Sequence, residues 1–329
     1  MEKRVDYIDV IKGLMIFGVV WVHTSCPRWL IAILVNSIFF LLSGIFFKRK
    51  PIRTFLFEKV HGLLVPFLFF YLISYPCKIV EYYWDNRSLK KFDWYCIFDV
   101  FTFSSRTDYI CVNVTLSFLI CLFSVQVLYY FVSYLDNKLK LVISLLCFIL
   151  RDVFLSVPSL FMVNAACYYM FFFALGNIIG KPLIEKLKDI NFRKTSLVLS
   201  LFLFVVLLIP INSITEWLFD VIYHIKLLII FFILMSVASW FNGSSNLSIF
   251  RFYGENSLIV LGTHMFPLIF LKRITNAIFG VATPLMGFVQ SVIVMALMYV
   301  VILFCNKYIP FLVGKKQPKV AVKVAESNG

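Results

Sequence analysis

Residues 284–307 read PLMGFVQSVIVMALMYVVILFCNK, an apolar run of 24 residues in which Lys307 is the one charged side chain. A helix of about 20 apolar residues spans the roughly 30 Å hydrocarbon core of a bilayer. Because backbone polar groups in that core must be hydrogen-bonded internally, the run is predicted to be a transmembrane helix. Nine further runs have the same character: 8–26, 30–47, 60–83, 110–134, 140–157, 164–181, 195–213, 218–241 and 256–273. The predicted fold class is therefore all-α, a polytopic bundle of about ten transmembrane helices.

The composition of the whole chain agrees with this prediction. Of 329 residues, 61% are hydrophobic and 15% are charged, against about 25% charged residues in a typical soluble domain. These values exclude a disordered or collagen-like chain and an ordinary cytosolic enzyme. Continuous apolar runs also exclude an outer-membrane β-barrel, whose strands alternate over about ten residues. Residues 1–313 are predicted to form one integral-membrane domain, and the polar stretch 314–329 a disordered cytoplasmic tail.

The distribution of basic residues predicts how the chain is oriented in the membrane. The formal net charge is +14, from 31 Lys and Arg against 17 Asp and Glu. If the N-terminus is cytoplasmic, 20 of the 31 basic residues fall in inner segments and nine in outer segments. Because cytoplasmic loops are enriched in Lys and Arg, both termini are predicted to be cytoplasmic in a multi-pass protein of the inner (cytoplasmic) membrane. The same enrichment explains the positive charge without a nucleic-acid partner.

Three ionisable residues interrupt the first apolar run. Asp9 and Lys12 stand at i and i+3 of a helix, where they can neutralise each other. Lys12 and His23 are 11 residues apart, which places them on one helix face, separated by roughly 16 Å along the axis. Ionisable groups inside a bilayer cost roughly 2.5–3.5 kcal/mol each, so these three are candidate functional residues. Snorkelling of Lys12 and a helix-packing hydrogen bond of His23 are the structural alternatives.

The ninth run carries a second group of polar residues. Asn256 and Ser257 are predicted to begin a helix, because their side chains cap free backbone N–H groups. Such a helix end can also hold an anion. His264 lies in the middle of the run, where an interhelical hydrogen bond explains it as well as a functional role does. The sequence has no pair of Gly- or Pro-broken spans in matching halves, so the broken helices of a transporter are not predicted.

A further pattern lies in the N-terminal residues. RVDYIDVIKG occupies residues 4–13, and ten residues separate Lys12 from His23. This pattern resembles acyltransferase family 3, whose members are integral-membrane O-acyltransferases that modify cell-surface and secreted glycans. Other segments resemble the family's motifs in the same order: FFLLSGIF at 39–46, LLVPF at 63–67, TLSFL at 115–119, FFFALG at 171–176, and GENSL at 254–258 followed by His264. The resemblance extends from residue 4 to about residue 270 and fits ten helices.

The resemblance implies transfer of an acetyl or other acyl group from cytoplasmic acyl-CoA to a hydroxyl of a glycan on the outer side. It implies His23 as the general base for the acceptor hydroxyl, or as the nucleophile that carries the acyl group. Asp9 is expected to orient Lys12 or Arg4. No metal is expected, because a thioester is already activated. The expected donor-binding residues are Arg4, Lys12, Ser43 and Lys59, and the expected assisting residues are Asn256, Ser257 and His264.

Two positions depart from the family pattern. The family often has Arg-x-x-Arg before the Pro of its third helix, associated with the acyl-CoA donor, but this chain has Lys59 and Gly62 there. The usual Trp of the fourth helix is Ser117. A member with an altered donor, such as succinyl-CoA, or an inactive member therefore remains an alternative. A transporter or flippase of lipid-linked glycan is another, because it would use the same intramembrane charges as a substrate path.

Overall fold

The computed structural model describes residues 5–27, 36–98, 112–150, 160–207, 216–280 and 283–315. Within these ranges the regular structure is helical and contains no strand, which confirms the all-α prediction. The α-helices in the described ranges are α1 (Asp6–Val22), α2 (Ser37–Ile45), α3 (Ile52–Lys59), α4 (Val65–Asn86), α5 (Ser117–Val132), α6 (Asn137–Ile149), α7 (Val163–Lys186), α8 (Ile190–Val206), α9 (Glu216–Trp240), α10 (Ser248–Glu255), α11 (Ser257–Thr263), α12 (Met265–Phe279) and α13 (Pro284–Tyr308).

A described helix lies in each of the ten predicted runs, but fewer of these helices are long and apolar enough to cross a membrane alone. Five meet that description, and a sixth span results if the bent pair α11–α12 is counted as one. The count of ten spans and the cytoplasmic location of the termini therefore stay predictions. The five candidate spans are Ile52–Asn86, Val114–Val132, Leu160–Lys186, Val221–Trp240 and Pro284–Tyr308.

The third run begins earlier than its hydropathy predicts. The run was expected to start at residue 60, but α3, a π-helical turn at Val60–Leu64 and α4 form one helix from Ile52 to Asn86. The added turns carry the charged residues Arg53, Glu58 and Lys59, and Glu58 lies 2.7 Å from Lys50, which precedes the helix. Hydropathy measures only the apolar part of a helix, so it misses turns that project beyond the apolar region.

The ninth run is broken, against the prediction of an uninterrupted span. Helices α11 and α12 meet at His264 and are bent by 50°. Pro267 explains the bend, because proline lacks an N–H and its ring clashes with the carbonyl four residues earlier, which is that of Thr263. Helix α11 ends at Thr263. The break therefore places His264 between two helical segments.

Two pairs of glycines set the closest helix crossings. A Cβ on Gly254 of α10 would overlap the Asp9 carbonyl of α1, and one on Gly13 would overlap the backbone of Phe250. The second crossing has the same form: a Cβ on Gly44 of α2 would overlap the backbone of α7, and one on Gly176 of α7 would overlap the backbone of α2. Small residues allow helix backbones to approach closely in membranes. The motif glycines thus fix α10 on α1 and α7 on α2.

Candidate active site

The ion pair predicted in α1 is present. Asp9 is buried, and its carboxylate lies 3.4 Å from the Lys12 ammonium. One turn earlier, Asp6 lies 3.7 Å from Arg251 of α10. The close crossing of α1 and α10 therefore brings two carboxylates and two cations together at this end of α1.

A cleft begins at Lys12 and follows α1 towards His23. Its volume is about 170 Å³, and α1 contributes Lys12, Ile16 and Val19 to its wall. These positions lie on one helix face, and His23, four residues after Val19, continues that face. Helices α2, α5 and α11 supply most of the remaining wall, which is largely apolar. The polar residues of the lining are Lys12, Asn36, Ser43 and Ser257.

His23 ends α1. The predicted run continued to residue 26, but α1 stops at Val22 and His23 has φ −78° and ψ 0°. The Thr24 hydroxyl contributes to this early end, because it lies 2.6 Å from the Trp21 carbonyl and 3.0 Å from the Gly287 carbonyl of α13. The His23 ring nitrogens make no hydrogen bond to the described part of the chain. A half-buried imidazole with free nitrogens thus lies just beyond the cleft.

His264 lies beside His23, although it comes 241 positions later in the chain. The two ring centroids are 5.5 Å apart and the rings are tilted by 43°. A hydrogen bond of about 3 Å between two imidazole nitrogens places their centroids about 5 Å apart. The two rings are therefore close to hydrogen-bonding distance.

The surroundings of His264 determine its tautomer. The side chain is 0% exposed, and its Nδ1 lies 2.8 Å from the Val260 carbonyl. A carbonyl oxygen only accepts, so Nδ1 carries the proton and Nε2 of the neutral ring is an acceptor. Among the described residues this buried Nε2 has no hydrogen-bond partner. His264 thus presents a fixed, unused acceptor in the part of the site next to His23.

Asn113 and Thr115 hold the broken helix, and sequence analysis missed both. The Asn113 amide nitrogen lies 3.3 Å from the Gly262 carbonyl and 3.2 Å from the Ser74 hydroxyl. The Thr115 hydroxyl lies 2.8 Å from the Leu261 carbonyl. A helix break leaves carbonyls without backbone partners, and these side chains take their place. The available signal was two polar side chains, an amide and a hydroxyl, near the start of a predominantly apolar run.

Asn256 does not cap α11 as predicted. Its side chain makes no capping hydrogen bond; its Nδ2 donates to the Phe252 carbonyl at 2.7 Å. Its Oδ1 accepts from Asn306 at 2.9 Å and from Lys315 at 2.6 Å. The capping prediction failed because α10 ends at Glu255, directly before Asn256, so the side chain packs between helices. Ser257, the next residue, lines the cleft instead.

The structure does not bring all the expected donor residues together. Ser43 and Lys12 share the cleft, as a donor site requires. Lys59 is not part of its lining; its ammonium lies 5.6 Å from the Phe55 ring centroid. Arg4 and residues 316–329 lie outside the described residues, so those predictions are untested. Lys315, just inside that limit, packs on Asn256.

The geometry describes a helical bundle with an internal cleft and, beside it, a half-buried His23 next to a buried His264. The family description "Acyltransferase domain" matches residues 5–307, nearly the whole chain. The chain belongs to this family, acyltransferase family 3, which confirms the resemblance seen in its motifs. It is therefore a multi-pass membrane protein of an acyltransferase family. Comparison with curated proteins and with solved structures gave no match.

Proposed function

We propose that the protein is a membrane O-acyltransferase that moves an acetyl or related acyl group from cytoplasmic acyl-CoA to a hydroxyl of a cell-surface or exported glycan. The observation that carries this proposal is the course of the cleft. Lys12, Ile16 and Val19 line it from one face of α1, and the same face continues to His23, which lies beside His264 outside the lining. A cation in the cleft and an acid–base group beyond it suit an anionic donor and a hydroxyl acceptor.

Lys12 is the donor-side residue that the geometry supports best. Charge-assisted hydrogen bonds from Lys to phosphate are about twice as strong as neutral ones, and CoA is a polyanion. Asp9 holds the ammonium from the preceding turn of α1, so we assign it a positioning role. Ser43 and Ser257 offer hydroxyl groups to the polar part of the acyl donor, whereas the apolar walls suit its acyl-bearing arm.

The chemical step needs one base. The His23 imidazole takes the proton of the acceptor hydroxyl while that oxygen attacks the thioester carbonyl carbon. When the tetrahedral intermediate collapses, the carbon–sulfur bond breaks and the thiolate of CoA takes the proton from the imidazolium. The products are the O-acyl ester and free CoA. The His23 ring nitrogens have no hydrogen bond to the described part of the chain and can serve direct transfer; a covalent acyl-imidazole would start from the same group.

His264 is the orienting residue in this scheme. Its Nε2 is an acceptor with a direction fixed by the Val260 carbonyl on the opposite nitrogen. After a small rotation, a His23 N–H can donate to it, which leaves the second His23 nitrogen unprotonated for the hydroxyl. A base that is aligned by a buried acceptor follows the general logic of catalytic triads.

One observation favours the alternative of a glycan transporter, namely the bend of 50° at His264. Broken helices at the membrane midplane mark substrate sites in transporters, where they come in symmetry-related pairs. Within the described ranges there is one bent pair, and its free carbonyls are occupied by Asn113 and Thr115. The bend thus has a local role in holding His264, and acyl transfer explains the histidine pair as well.

Mass spectrometry of surface glycan tests the proposal. Glycan is compared between cells with the gene, cells without it, and cells that carry His23→Ala or His61→Ala. His61 is a suitable control because its ring packs against Phe57 and Phe311 outside the cleft. Acetyl transfer predicts that a mass increment of about 42 Da is lost without the gene and in His23→Ala, and retained in His61→Ala. Loss of the glycan itself would support transport, and an unchanged glycan would contradict both proposals.

A further inference from the structure

A lysine of α12 lies next to the catalytic end of α1. The Lys272 ammonium donates to the His23 backbone carbonyl at 3.2 Å. Lys272 also lies eight residues after His264, which begins the same half of the bent pair. The cation thus contacts the backbone of His23 and lies about two helical turns after His264.

Lys272 and its neighbour Arg273 differ in their partners. Arg273 lies 2.7 Å from Asp85, close to Glu81, and over the Trp84 ring. Lys272 has no carboxylate within ion-pair distance among the residues that the structure describes; its polar partner there is a carbonyl. Within the described residues, an ion pair therefore compensates the charge of Arg273, whereas the half-buried Lys272 ammonium has no such partner.

The turn that carries Lys272 is fixed in place. The Thr275 hydroxyl lies 2.9 Å from the Leu271 carbonyl and 3.1 Å from that of Lys272. Gln290 of α13 is 1% exposed and donates to the same hydroxyl at 2.6 Å. These contacts hold the backbone of Lys272 against α13, so the ammonium is presented from a rigid element. A preorganised cation loses less conformational entropy when it binds a ligand.

We propose that Lys272 forms an acceptor subsite that selects a glycan bearing an anionic group, a carboxylate or a phosphate, near the hydroxyl to be acylated. This inference rests on the proposed function, because it places the acceptor at His23. The ammonium supplies a charge-assisted hydrogen bond to the anion, in surroundings less polar than water where such a bond is stronger. Lys272 takes no part in bond making; it holds the acceptor so that its hydroxyl lies at the imidazole.

The acceptor subsite makes a prediction about the acceptor itself. Glycan is purified from cells without the gene, and one portion has its carboxylates reduced to alcohols while another is dephosphorylated. Reconstituted protein with labelled acetyl-CoA should acylate untreated glycan, and should lose at least about tenfold in kcat/KM on the portion that lacks the recognised anion. Loss with reduced carboxylates identifies a carboxylate, and loss after dephosphorylation identifies a phosphate. Equal acylation of all three portions would overturn the proposal.

Variants separate binding by Lys272 from a structural role. Lys272→Met should raise the KM for glycan about 10- to 100-fold, the equivalent of one charged hydrogen bond of about 1.5–3 kcal/mol. The KM for acetyl-CoA should stay unchanged, and Lys272→Arg should restore most of the glycan affinity. Arg273→Lys is the matched control, with unchanged glycan KM. If Lys272 only caps the end of α1, Lys272→Met would lower thermal stability without raising the glycan KM, which would contradict the proposal.

Binding without turnover distinguishes failure of the subsite from failure of the proposed function. Fluorescently labelled, untreated glycan is titrated against His23→Ala and against His23→Ala with Lys272→Met. Weaker binding in the double variant supports the subsite. Equal binding overturns it, even if acyl transfer by the wild-type protein is confirmed. Absence of transfer by the wild-type protein, with glycan binding intact, would instead refute the proposed function.

Discussion

The crossing of α1 and α10 gives a prediction with a built-in control. In Gly254→Ala, the new Cβ would overlap the Asp9 carbonyl oxygen. It would also lie 2.7 Å from the Asp9 carbonyl carbon and 2.9 Å from the Gly13 nitrogen. Non-bonded carbon contacts are favourable at about 3.5–4.0 Å. Because the Asp9 oxygen is closer still, the two helices would have to separate by more than about 1 Å, and overpacking of this kind costs about 1–3 kcal/mol or more.

Gly62 is the matched control, because a Cβ there would have no atom within 4 Å. Gly62→Ala should be neutral or should stabilise the helix by about 0.5–1 kcal/mol, since alanine is a better helix former than glycine. Each variant is purified in detergent, and its midpoint of thermal unfolding is measured by fluorescence-detected gel filtration. Gly254→Ala should unfold at a lower temperature than wild type, and Gly62→Ala should not.

Separation of these helices should also move Asp9 and Lys12. The KM for acetyl-CoA should therefore be higher for the Gly254→Ala variant than for wild type, measured at a temperature at which the variant is folded. Equal unfolding midpoints for Gly254→Ala and wild type would refute the close-packing argument. A large loss of stability in Gly62→Ala would also refute the close-packing argument, because the free space around position 62 should accommodate a methyl group.

Two further variants test the donor side and the broken helix. Gly62→Arg adds the cation that the family pattern has at this position. We expect the KM for acetyl-CoA to fall about two- to fivefold, the equivalent of a surface ion pair of about 0.4–1 kcal/mol. Gly62→Gln is the uncharged control, and an unchanged KM in Gly62→Arg would contradict donor binding at this turn. Thr115→Val removes the hydroxyl that donates to the Leu261 carbonyl. The free energy of unfolding should fall by about 1–3 kcal/mol, and kcat should fall with it. The control is Thr54→Val at an exposed position, which should change neither quantity. Full activity in Thr115→Val would show that the broken helix needs no such support.

Sequence periodicity and hydropathy predicted much of what is local. A helix lies in each predicted run, and the Asp9–Lys12 pair lies where i, i+3 spacing puts it. Contacts between distant segments could not be read in this way. His23 and His264 lie together although they follow different helices, and α1 packs on α10 through Gly13 and Gly254; a single sequence does not state which residues face each other in this way.

The bend at His264 was missed for a different reason. Pro267 was visible in the sequence, but the run was judged by its hydropathy, which a proline hardly changes. The compensating partners, Asn113 and Thr115, come from a segment about 150 residues away. Pro267 and the pair Asn113 and Thr115 are both visible in the sequence, but only the folded structure shows that they belong to the same bend.

The central claim is that His23 is the base of an acyl transfer at the end of the cleft. It is tested most directly by the time course of label passing from acetyl-CoA into purified glycan, with reconstituted wild type, His23→Ala and His61→Ala at equal folded concentration. We expect label to accumulate with wild type and His61→Ala at similar rates, and the rate with His23→Ala to fall by at least the factor of about 10²–10⁴ that a general base contributes. Transfer by His23→Ala at the wild-type rate would contradict the account.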